Sequence, residues 1–404
     1  MHDPTVCFGG VDWATDAHAV CVVDAEGRAL EEFNVGHTAE GLDELCRRVG
    51  SAGARRVAIE RPDGPVVDAL LAAGLEVVVV SSRSVKALRE RYGTSGNKSD
   101  RSDAYVLADC LRTDGYRWRS LEPDSPATVT LRAHMRARKD LVEARVAVAN
   151  QLRAHLRVVF PGAVGLFRDI DSPISLRFLQ RFPSAARAAW LSEKRLAAWL
   201  RANGYCGRKS AAVLYARLTG APAGVGGEES DARGAIALAY VAVLTALRAE
   251  IDELNTRLDE LLDAHPDAEI FRSLPRCATV RAATLIAEIG DCRARFPDPE
   301  SLACLAGVAP STRASGRHHA VTFRFSSDKK LRDAICDFAG DSWRANAWAA
   351  DRYRRLRAAG KTHPHAERVL ARSWTHVIWR CWQDRTPYDP TRHGAHQRLE
   401  GVAA

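Results

Sequence analysis

The stretch VCFGGVDWATDAHAVCVVDAEG, residues 6–27, decides the fold class of the N-terminal part of the chain. It contains two apolar, valine-rich runs, VCFGGVDWA and HAVCVVDAEG, which polar residues separate and a glycine turn closes. Two such runs with a polar break between them predict a β-hairpin. Asp12 ends the first run, where packing does not require an acidic residue. We therefore regard Asp12 as a candidate for chemistry.

The segments that follow alternate between strand and helix patterns. Strands are predicted at ALEEFNVG, RRVAIE and LEVVVVSS. Helices are predicted at TAEGLDELCRRVG, GPVVDALLAAG, SRSVKALRERYG and SDRSDAYVLADCLRTDG. A meander of three strands followed by alternating helices and strands predicts an α/β fold over residues 1–120. This is a mixed sheet flanked by helices, in the element order of a ribonuclease-H-like (RNase H-like) domain.

The middle of the chain, residues 121–265, is predicted to be an all-α helical linker and coiled-coil region. Its first helix covers residues 126–160 and has a dense arginine face. Further on, apolar residues alternate by three and four and form a heptad seam at Leu244, Leu247, Ile251, Leu254, Leu258 and Leu261. This seam fits either an amphipathic helix packed on its own domain or an intersubunit coiled coil. Both alternatives remain open.

The C-terminal region, residues 266–390, is predicted to be a mainly helical domain. FRSLPRCATVRAATLIAEIGD indicates two short helices joined by a tight turn. After the next helix, the stretch STRASGRHHA is rich in Ser, Arg and Gly and is predicted to be a loop. Helices rich in Arg, Trp and Ala resume at Asp328, and residues 391–404 are expected to form a flexible tail.

Composition limits the class of partner and the compartment. The formal net charge is +8 and the pI is about 9.1, which favours a polyanionic partner such as nucleic acid. None of the ten cysteines forms a C-x-x-C pair, which argues against a zinc knuckle. The N-terminus lacks the pattern of a signal peptide, and no uncharged apolar stretch reaches membrane-spanning length. We expect a cytoplasmic protein with reduced thiols and no membrane partner.

Four carboxylates occupy positions that the predicted fold would bring together. Glu60 ends the strand VAIE, so it would join Asp12 at one edge of the sheet. Asp100 and Asp103 share one helix face because they are three residues apart. Converging carboxylates repel one another unless cations lie between them, and oxygen-only ligands select Mg²⁺ or Mn²⁺. Two such ions would clamp a phosphodiester during cleavage.

Each of these acids alone has a simpler explanation. An acid at a strand end is usually a solvated turn residue, and an acid in a first helical turn can serve as a cap. Asp16 and Asp63 lie close in sequence to members of the set and are alternative or outer-shell acids. The joint pattern, with acids at two strand ends and a pair on a later helix, is more specific than any of its parts.

Three N-terminal blocks resemble a known family. GVDWATDAHAVCVVD, VAIERPDG and NKSDRSDAYVLAD are similar to the blocks of the DEDD transposases of the insertion-sequence 110 family. At the C-terminal end, LIAEIGD and LAGVAP followed by SG resemble the family's second domain. The family is related to the Piv-type DNA invertases, and its N-terminal domain is similar to the RuvC Holliday-junction resolvase. The resemblance covers both ends of the chain in the family's order, and the middle matches only as helical.

The resemblance implies a DNA recombinase and its site residues. The metal-binding tetrad falls on Asp12, Glu60, Asp100 and Asp103, and the family's catalytic serine falls on Ser315. In the family, this serine attacks a DNA phosphate and holds the strand covalently while donor and target DNA exchange strands. Several members are guided by a structured noncoding bridge RNA. Members also assemble into oligomers that combine the metal domain of one subunit with the serine domain of another, which implies a homodimer or homotetramer here.

The sequence around Ser315 is compatible with such a nucleophile. A serine hydroxyl is a weak nucleophile at neutral pH and needs a base or a metal to activate it. Gly316 relaxes the backbone, and Arg313 and Arg317 could hold a phosphate. A Ser-Gly pair is a common loop element, so only the resemblance points to Ser315. Ser311 is the fallback nucleophile.

Basic residues form the candidate contacts to nucleic acid. The turn LPRCATV lacks the Gly-x-Gly seen in family members, but its arginines could still bind a phosphate electrostatically. The alternative for any one group is an ordinary solvated face. The candidates are Arg83, Lys86, Arg89, Arg91, Lys98, Arg276, Arg281, Arg313 and Arg317.

Three hypotheses follow from the sequence. The first is a serine-dependent, Mg²⁺-assisted transposase or site-specific recombinase that is guided by RNA. The second is a RuvC-like junction nuclease that uses only the carboxylate tetrad, with a structural role for Ser315. The third is a degenerate nucleic-acid-binding protein, against which the intact tetrad argues.

Overall fold

The computed structural model of the chain describes residues 6–92, 99–316 and 318–400, without the side chains of Arg83, His318 and residues 398–400. The chain divides into two compact units, Met1–Pro123 and Asp124–Ala404.

The N-terminal unit is an α/β domain built on one five-stranded sheet. Its strands are β1 Cys7–Asp12, β2 Ala17–Val23, β3 Ala29–Gly36, β4 Ala54–Ile59 and β5 Glu76–Val79. Its helices are α1 Ala39–Ser51, α2 Pro65–Ala72, α3 Ser82–Arg89 and α4 Asp100–Asp114. The strand order is β3-β2-β1-β4-β5; the first three strands are antiparallel, and β1, β4 and β5 are parallel. The predicted α/β class with a mixed sheet is confirmed.

Helices cover both faces of this sheet. Successive side chains of a strand point to opposite faces. Val11 and Ile59 therefore pack into one core with Leu45 of α1 and Leu70 of α2. Ala58, one residue before Ile59, packs on the other face into a core that α3 and α4 complete. The sheet is the middle of three layers, and α4 belongs to the second face.

The C-terminal unit is mainly helical and has two hydrophobic cores. Its helices are α5 Pro126–Val159, α6 Pro173–Arg181, α7 Ala185–Ala188, α8 Glu193–Ala202, α9 Ala211–Thr219, α10 Gly227–Asp263, α11 Ala268–Arg272, α12 Thr279–Ile289, α13 Pro299–Leu305, α14 Lys329–Ser342, α15 Ala347–Ala358, α16 His363–Gln383 and α17 Gly394–Glu400. A two-stranded sheet follows α13, formed by β6 Ser311–Ser315 and β7 His318–Thr322.

The predicted heptad seam lies on α10. Its positions Leu244, Ile251 and Leu258 are buried, and α10 packs along α5 of the same chain. This packing favours the amphipathic-helix alternative over a purely intersubunit coiled coil. Within the described chain, α10 is also the one helix long and apolar enough to cross a membrane. A core helix passes that test as readily, so the observation is weak evidence for a membrane span.

Two C-terminal segments differ from the sequence-based expectation. The loop predicted at STRASGRHHA is wrong, because these residues form the antiparallel hairpin of β6 and β7. β-branched residues on its two strands and Gly316 at its turn account for the difference. The stretch after Asp389, expected to fray, includes α17 in its described part. The His393 ring packs edge-on against Trp348, with ring centroids 4.5 Å apart, and this contact anchors the segment.

Candidate active site

The strand register places Asp12 beside Glu60. In the parallel pair of β1 and β4, Gly10 lies opposite Ala58 and Val11 lies opposite Ile59. The next residue of each strand is Asp12 or Glu60, so the two carboxylates meet at the same edge of the sheet. Both acids lie on the same face of the sheet as Ala58, which is the face covered by α4. The juxtaposition of these two acids follows directly from the fold.

Helix α4 lies directly on β1 above this edge. A Cβ atom on Gly10 would lie 2.2 Å from the carbonyl oxygen of Ala104 and 2.4 Å from the amide nitrogen of Ala108. Only glycine allows this close approach of helix to strand. Asp103, the residue before Ala104 in α4, is 2% exposed. The packing at Gly10 therefore fixes the first turn of α4, and with it Asp103, against the end of β1.

The acids of this first turn are not its cap. Ser99 is the N-cap residue, and its hydroxyl accepts a hydrogen bond from the amide of Ser102 at 3.2 Å. Asp100 is exposed at the first position of the helix. Because the cap is already supplied, the simple capping explanation leaves Asp100 and Asp103 without a required local role.

Arg89 of α3 joins two of the four acids. Its Nη2 atom lies 2.5 Å from Oδ2 of Asp103 and 4.0 Å from Oε1 of Glu60. The guanidinium therefore places a positive charge between these carboxylates. Arg89 is predicted from the sequence as a nucleic-acid contact, and its pairing with Asp103 is a finding of the structure. The available signal was Val85, a core residue four positions earlier, which puts Arg89 on the buried face of α3.

The donor set suits a hard divalent cation. All four acids offer oxygen ligands, and an arginine already compensates the charge between two of them. In residues 6–92, 99–316 and 318–400, however, no three His, Cys, Asp or Glu side chains are close enough together to hold a metal. The donor chemistry thus fits Mg²⁺ or Mn²⁺, while Arg89 occupies Oδ2 of Asp103 in this structure.

Asp109, an acid on α4 outside the candidate tetrad, has a structural role. Asp109 is 5% exposed and accepts hydrogen bonds from the Tyr92 hydroxyl at 2.5 Å and from Nε of Arg112 at 2.7 Å. Burial, and then the hydrogen bond to Asp109, raise the pKa of Tyr92 well above its usual range. These partners satisfy Asp109, which is two helical turns from the acid pair.

Ser315 lies at the end of β6 in an exposed position. It pairs in register with His318 of β7, and Gly316 follows it with φ +54°, in the left-handed region. No hydrogen bond to the Ser315 hydroxyl is present in the described part of the chain. Ser311, the fallback nucleophile, lies at the opposite end of the same strand, paired with Thr322. The hairpin therefore presents the Ser315 side chain to solvent.

The predicted basic contacts fall into three groups. Lys86 and Arg313 are exposed. Several arginines are paired internally: Arg91 with Asp114, Arg276 with Asp341, and Arg281 with both Asp337 and Asp341. Lys98, Arg317 and the side chain of Arg83 lie outside the described residues.

The internal pairing around Asp341 has an electrostatic consequence. The hydrogen bond from Arg276, followed by that from Arg281, holds the pKa of the Asp341 carboxyl below its ordinary value. The positive charges of Arg276 and Arg281 are thus compensated within the C-terminal unit. An incoming phosphate would have to compete with this carboxylate for them.

Comparison with known proteins finds related families for both the N-terminal and the C-terminal part of the chain. Residues 9–161 match the transposase family defined by the DEDD transposases of IS110, and residues 268–354 match the transposase family of IS116, IS110 and IS902. The mini-circle transposase assigned to IS117 in Streptomyces coelicolor is 33% identical over 96% of this chain and 97% of its own length. A 42 kDa protein of insertion element IS900 in Mycobacterium paratuberculosis is 27% identical over 95% of this chain and 97% of its own.

These matches define the class as a DNA transposase. The chain belongs to the IS110 family of insertion-sequence transposases.

Proposed function

We propose that this transposase cleaves and rejoins DNA through Ser315, assisted by a divalent cation that Asp12, Glu60, Asp100 and Asp103 hold. The observation that carries the proposal is the placement of Asp12, Glu60 and Asp103 at one edge of the mixed five-stranded sheet, with the Arg89 guanidinium between Glu60 and Asp103. Family membership adds the serine, which the β6–β7 hairpin presents in an exposed position.

The proposed chemistry of Ser315 conserves phosphodiester energy. Its oxygen forms a bond to phosphorus while the bond from phosphorus to one deoxyribose oxygen breaks. The serine proton passes to a base, and the departing sugar oxygen takes up a proton. Because one phosphate ester replaces another, attack by a new strand hydroxyl reverses the step and rejoins DNA without an external energy source.

The acids contribute through charge and position. A bound Mg²⁺ or Mn²⁺ would polarise the phosphate and stabilise developing negative charge on oxygen. Asp103 is held by the packing of α4 on Gly10, and Glu60 by its place at the end of β4. Arg89 neutralises these carboxylates in the absence of the cation, so that the edge remains folded.

The proposed partners are donor DNA, target DNA and a structured bridge RNA. The net charge of +8 and family membership support this assignment. We further infer a cytoplasmic homodimer or homotetramer, in which carboxylates and serine come from different copies.

A covalent-adduct assay tests the proposed function. The protein is incubated with DNA of the element's end, the element's noncoding RNA and Mg²⁺, then denatured and separated by electrophoresis. We expect a denaturation-resistant protein–DNA adduct that Ser315→Ala abolishes and Ser311→Ala retains. Asp12→Asn and Asp103→Asn should abolish both adduct and cleavage.

The alternative carboxylate-only nuclease predicts a different outcome. If Ser315→Ala cleaves at the wild-type rate and no adduct forms, the protein is a hydrolytic junction nuclease. The feature that favours this second candidate is the exposed Ser315 hydroxyl, to which no described residue hydrogen-bonds.

A mixing experiment tests the shared-site arrangement. Asp103→Asn and Ser315→Ala proteins, each inactive alone, are mixed before DNA is added. Recovery of adduct on the Asp103→Asn chain supports catalysis between subunits, whereas a mixture as inactive as its components contradicts it.

A further inference from the structure

A cavity of about 830 Å³ lies in the C-terminal unit beside the base of the β6–β7 hairpin. Pro310 and Thr322 line it on the hairpin side, and Arg352 and Arg368 line it from α15 and α16. We call the sheet edge that bears Asp12, Glu60, Asp100 and Asp103 the carboxylate edge. None of these four acids, and none of the described basic residues predicted as nucleic-acid contacts, lines the cavity.

The cavity wall is strongly cationic. It carries five positive side chains, Arg324, Arg352, Lys361, Arg368 and Arg372, against one carboxylate, Glu300. Glu300 is already engaged by Nη2 of Arg372 at 2.9 Å and Nε2 of His376 at 3.0 Å. In the described chain, the other four cations have no carboxylate partner.

A neighbouring imidazole registers this positive potential. His365 lines the same cavity and is exposed. Partial burial, and then the charges of Lys361 and Arg368, lower the pKa of His365. The positive charges inside the cavity therefore repel a further one, which is the electrostatic condition for binding an anion.

An exposed aromatic side chain stands beside the cations. Phe323 lines the cavity, with the Arg368 guanidinium 4.9 Å from its ring centroid. Phe325 contacts the Phe323 ring edge-on at 4.9 Å between centroids, yet it is 79% exposed. A solvent-facing ring next to unpaired cations is the combination that proteins use to stack bases and track the phosphates of single strands.

We propose that this cavity binds a single-stranded DNA segment next to the phosphodiester that Ser315 attacks, with phosphates on Lys361 and Arg368 and a base stacked on Phe325. The proposal rests on the proposed function for the identity of that phosphodiester. Ser315 is four residues beyond Ser311 along β6, or about 13 Å at the usual strand rise. That length spans no more than about four nucleotides, because each strand of a duplex carries one phosphate per about 3.4 Å of helix axis and an extended single strand spaces its phosphates further apart. The cavity therefore holds the strand a few nucleotides from the point of attack.

Binding without catalysis tests the proposal. The probe is a fluorescent single-stranded DNA of the element's end, titrated in EDTA with the full chain carrying Ser315→Ala. Adding Lys361→Gln and Arg368→Gln should weaken binding about tenfold or more. The slope of the logarithm of the association constant against log salt, which is negative, should become shallower by about 1.4. Adding Phe325→Ala should weaken binding about tenfold and leave the slope unchanged.

A matched control separates the cavity from general charge. Lys194→Gln and Arg201→Gln remove the same two charges from exposed positions on α8. We expect this pair to change affinity less than threefold. Equal losses in the control and cavity pairs would overturn the proposal, as would normal binding by the Phe325→Ala chain. Thermal midpoints matching that of the parent protein show that each variant is folded.

Two further arms identify the ligand and separate this proposal from the function. Equal dependence on Phe325 with duplex DNA, or a tenfold preference for RNA of the same sequence, would contradict a single-stranded DNA site. If no Ser315 adduct forms but binding still depends on the cavity residues, the proposed function is contradicted and the cavity proposal stands. If the adduct forms but the cavity variants bind DNA normally, the cavity proposal is contradicted and the proposed function stands.

Discussion

The carboxylate edge and the serine hairpin carry the two halves of the proposed chemistry on opposite kinds of structure. Asp103 is buried, lies on a helix that touches β1 at backbone distance, and is paired with Arg89. Ser315 lies on an exposed strand of a two-stranded sheet.

This difference matches what each group has to do. Carboxylates that share a cation must be held at fixed positions against their mutual repulsion, so they need a rigid support. A nucleophile that carries a DNA strand has to be accessible to the polymer. We therefore expect substitutions that disturb the support of the carboxylates to cost global stability, and substitution of Ser315 to cost chemistry with little effect on stability.

The largest stability effect is expected from Gly10→Ala. The new methyl would meet the backbone of α4 at 2.2–2.4 Å, and backbone cannot rotate away as a side chain can. We expect a loss of about 3 kcal/mol in the free energy of unfolding, together with loss of metal-dependent cleavage. Urea denaturation measures the first effect, and the adduct assay measures the second.

Gly9→Ala is the matched control on the same strand. Its methyl would point to the other face of the sheet, where the nearest atom is a side-chain methyl of Val57 at 3.2 Å. We expect a change within about 1 kcal/mol, since alanine also lowers the entropy of the unfolded chain. Equal costs at both glycines would show that the α4 contact does not organise the edge.

Arg89→Gln should have the next largest effect. It removes a charged hydrogen bond to a nearly buried carboxylate, so we expect a loss of about 2 kcal/mol in metal-free buffer. Added Mg²⁺ should restore more stability to this variant than to the wild type, because the cation then binds carboxylates that no arginine occupies. Thermal unfolding with EDTA and with Mg²⁺ measures both effects.

Arg91→Gln provides the comparison for Arg89. Arg91 pairs with Asp114 at 3.4 Å and its side chain is 52% exposed, so its loss should cost less than about 0.5 kcal/mol. An identical Mg²⁺ response in both variants would contradict a role for Arg89 as the internal counter-ion.

The strands that carry Asp12 and Glu60, and their adjacency in the sheet, could be predicted from the sequence. The valine-rich runs around Asp12 and the short run ending at Glu60 have strand periodicity, and adjacency in the sheet followed from their order. Local pattern sufficed because buried strands and capped helices have strong signatures. The partner of Asp103 escaped because Arg89 reads as one more basic residue in a basic segment. Only the tertiary packing of α3 against α4 shows which carboxylate it contacts.

The exposed half was predicted less well for a physical reason. Around Ser315 the chain has few apolar residues to alternate, so two polar strands looked like a loop. The hairpin is specified by its backbone ladder and by Gly316, neither of which leaves a strong hydrophobic pattern. The cavity beside it joins residues from α13 to α17, a juxtaposition that spacing along the chain does not reveal.

Gly316→Ala should produce a smaller, local effect. Nothing lies within 4 Å of the added methyl, so the cost comes from placing alanine at φ +54°. We expect the hairpin to open about 1 kcal/mol more easily by amide hydrogen exchange. Gly316→Asn should cost less, because asparagine tolerates the left-handed region. Alanine and asparagine variants with equal exchange would show that this backbone conformation is not required.

The smallest stability effect and the complete loss of chemistry should coincide at Ser315→Ala. The side chain is exposed and no described residue hydrogen-bonds its hydroxyl, so we expect the free energy of unfolding to change by less than about 0.5 kcal/mol. The covalent adduct should disappear while binding of DNA persists. Ser311→Ala, four residues away on the same strand, should leave both stability and adduct unchanged. A Ser315→Ala protein that loses stability as Gly10→Ala does would remove the contrast between a rigid metal edge and an exposed nucleophile. An unchanged stability with no adduct would instead mean that the hairpin serves chemistry and not the fold.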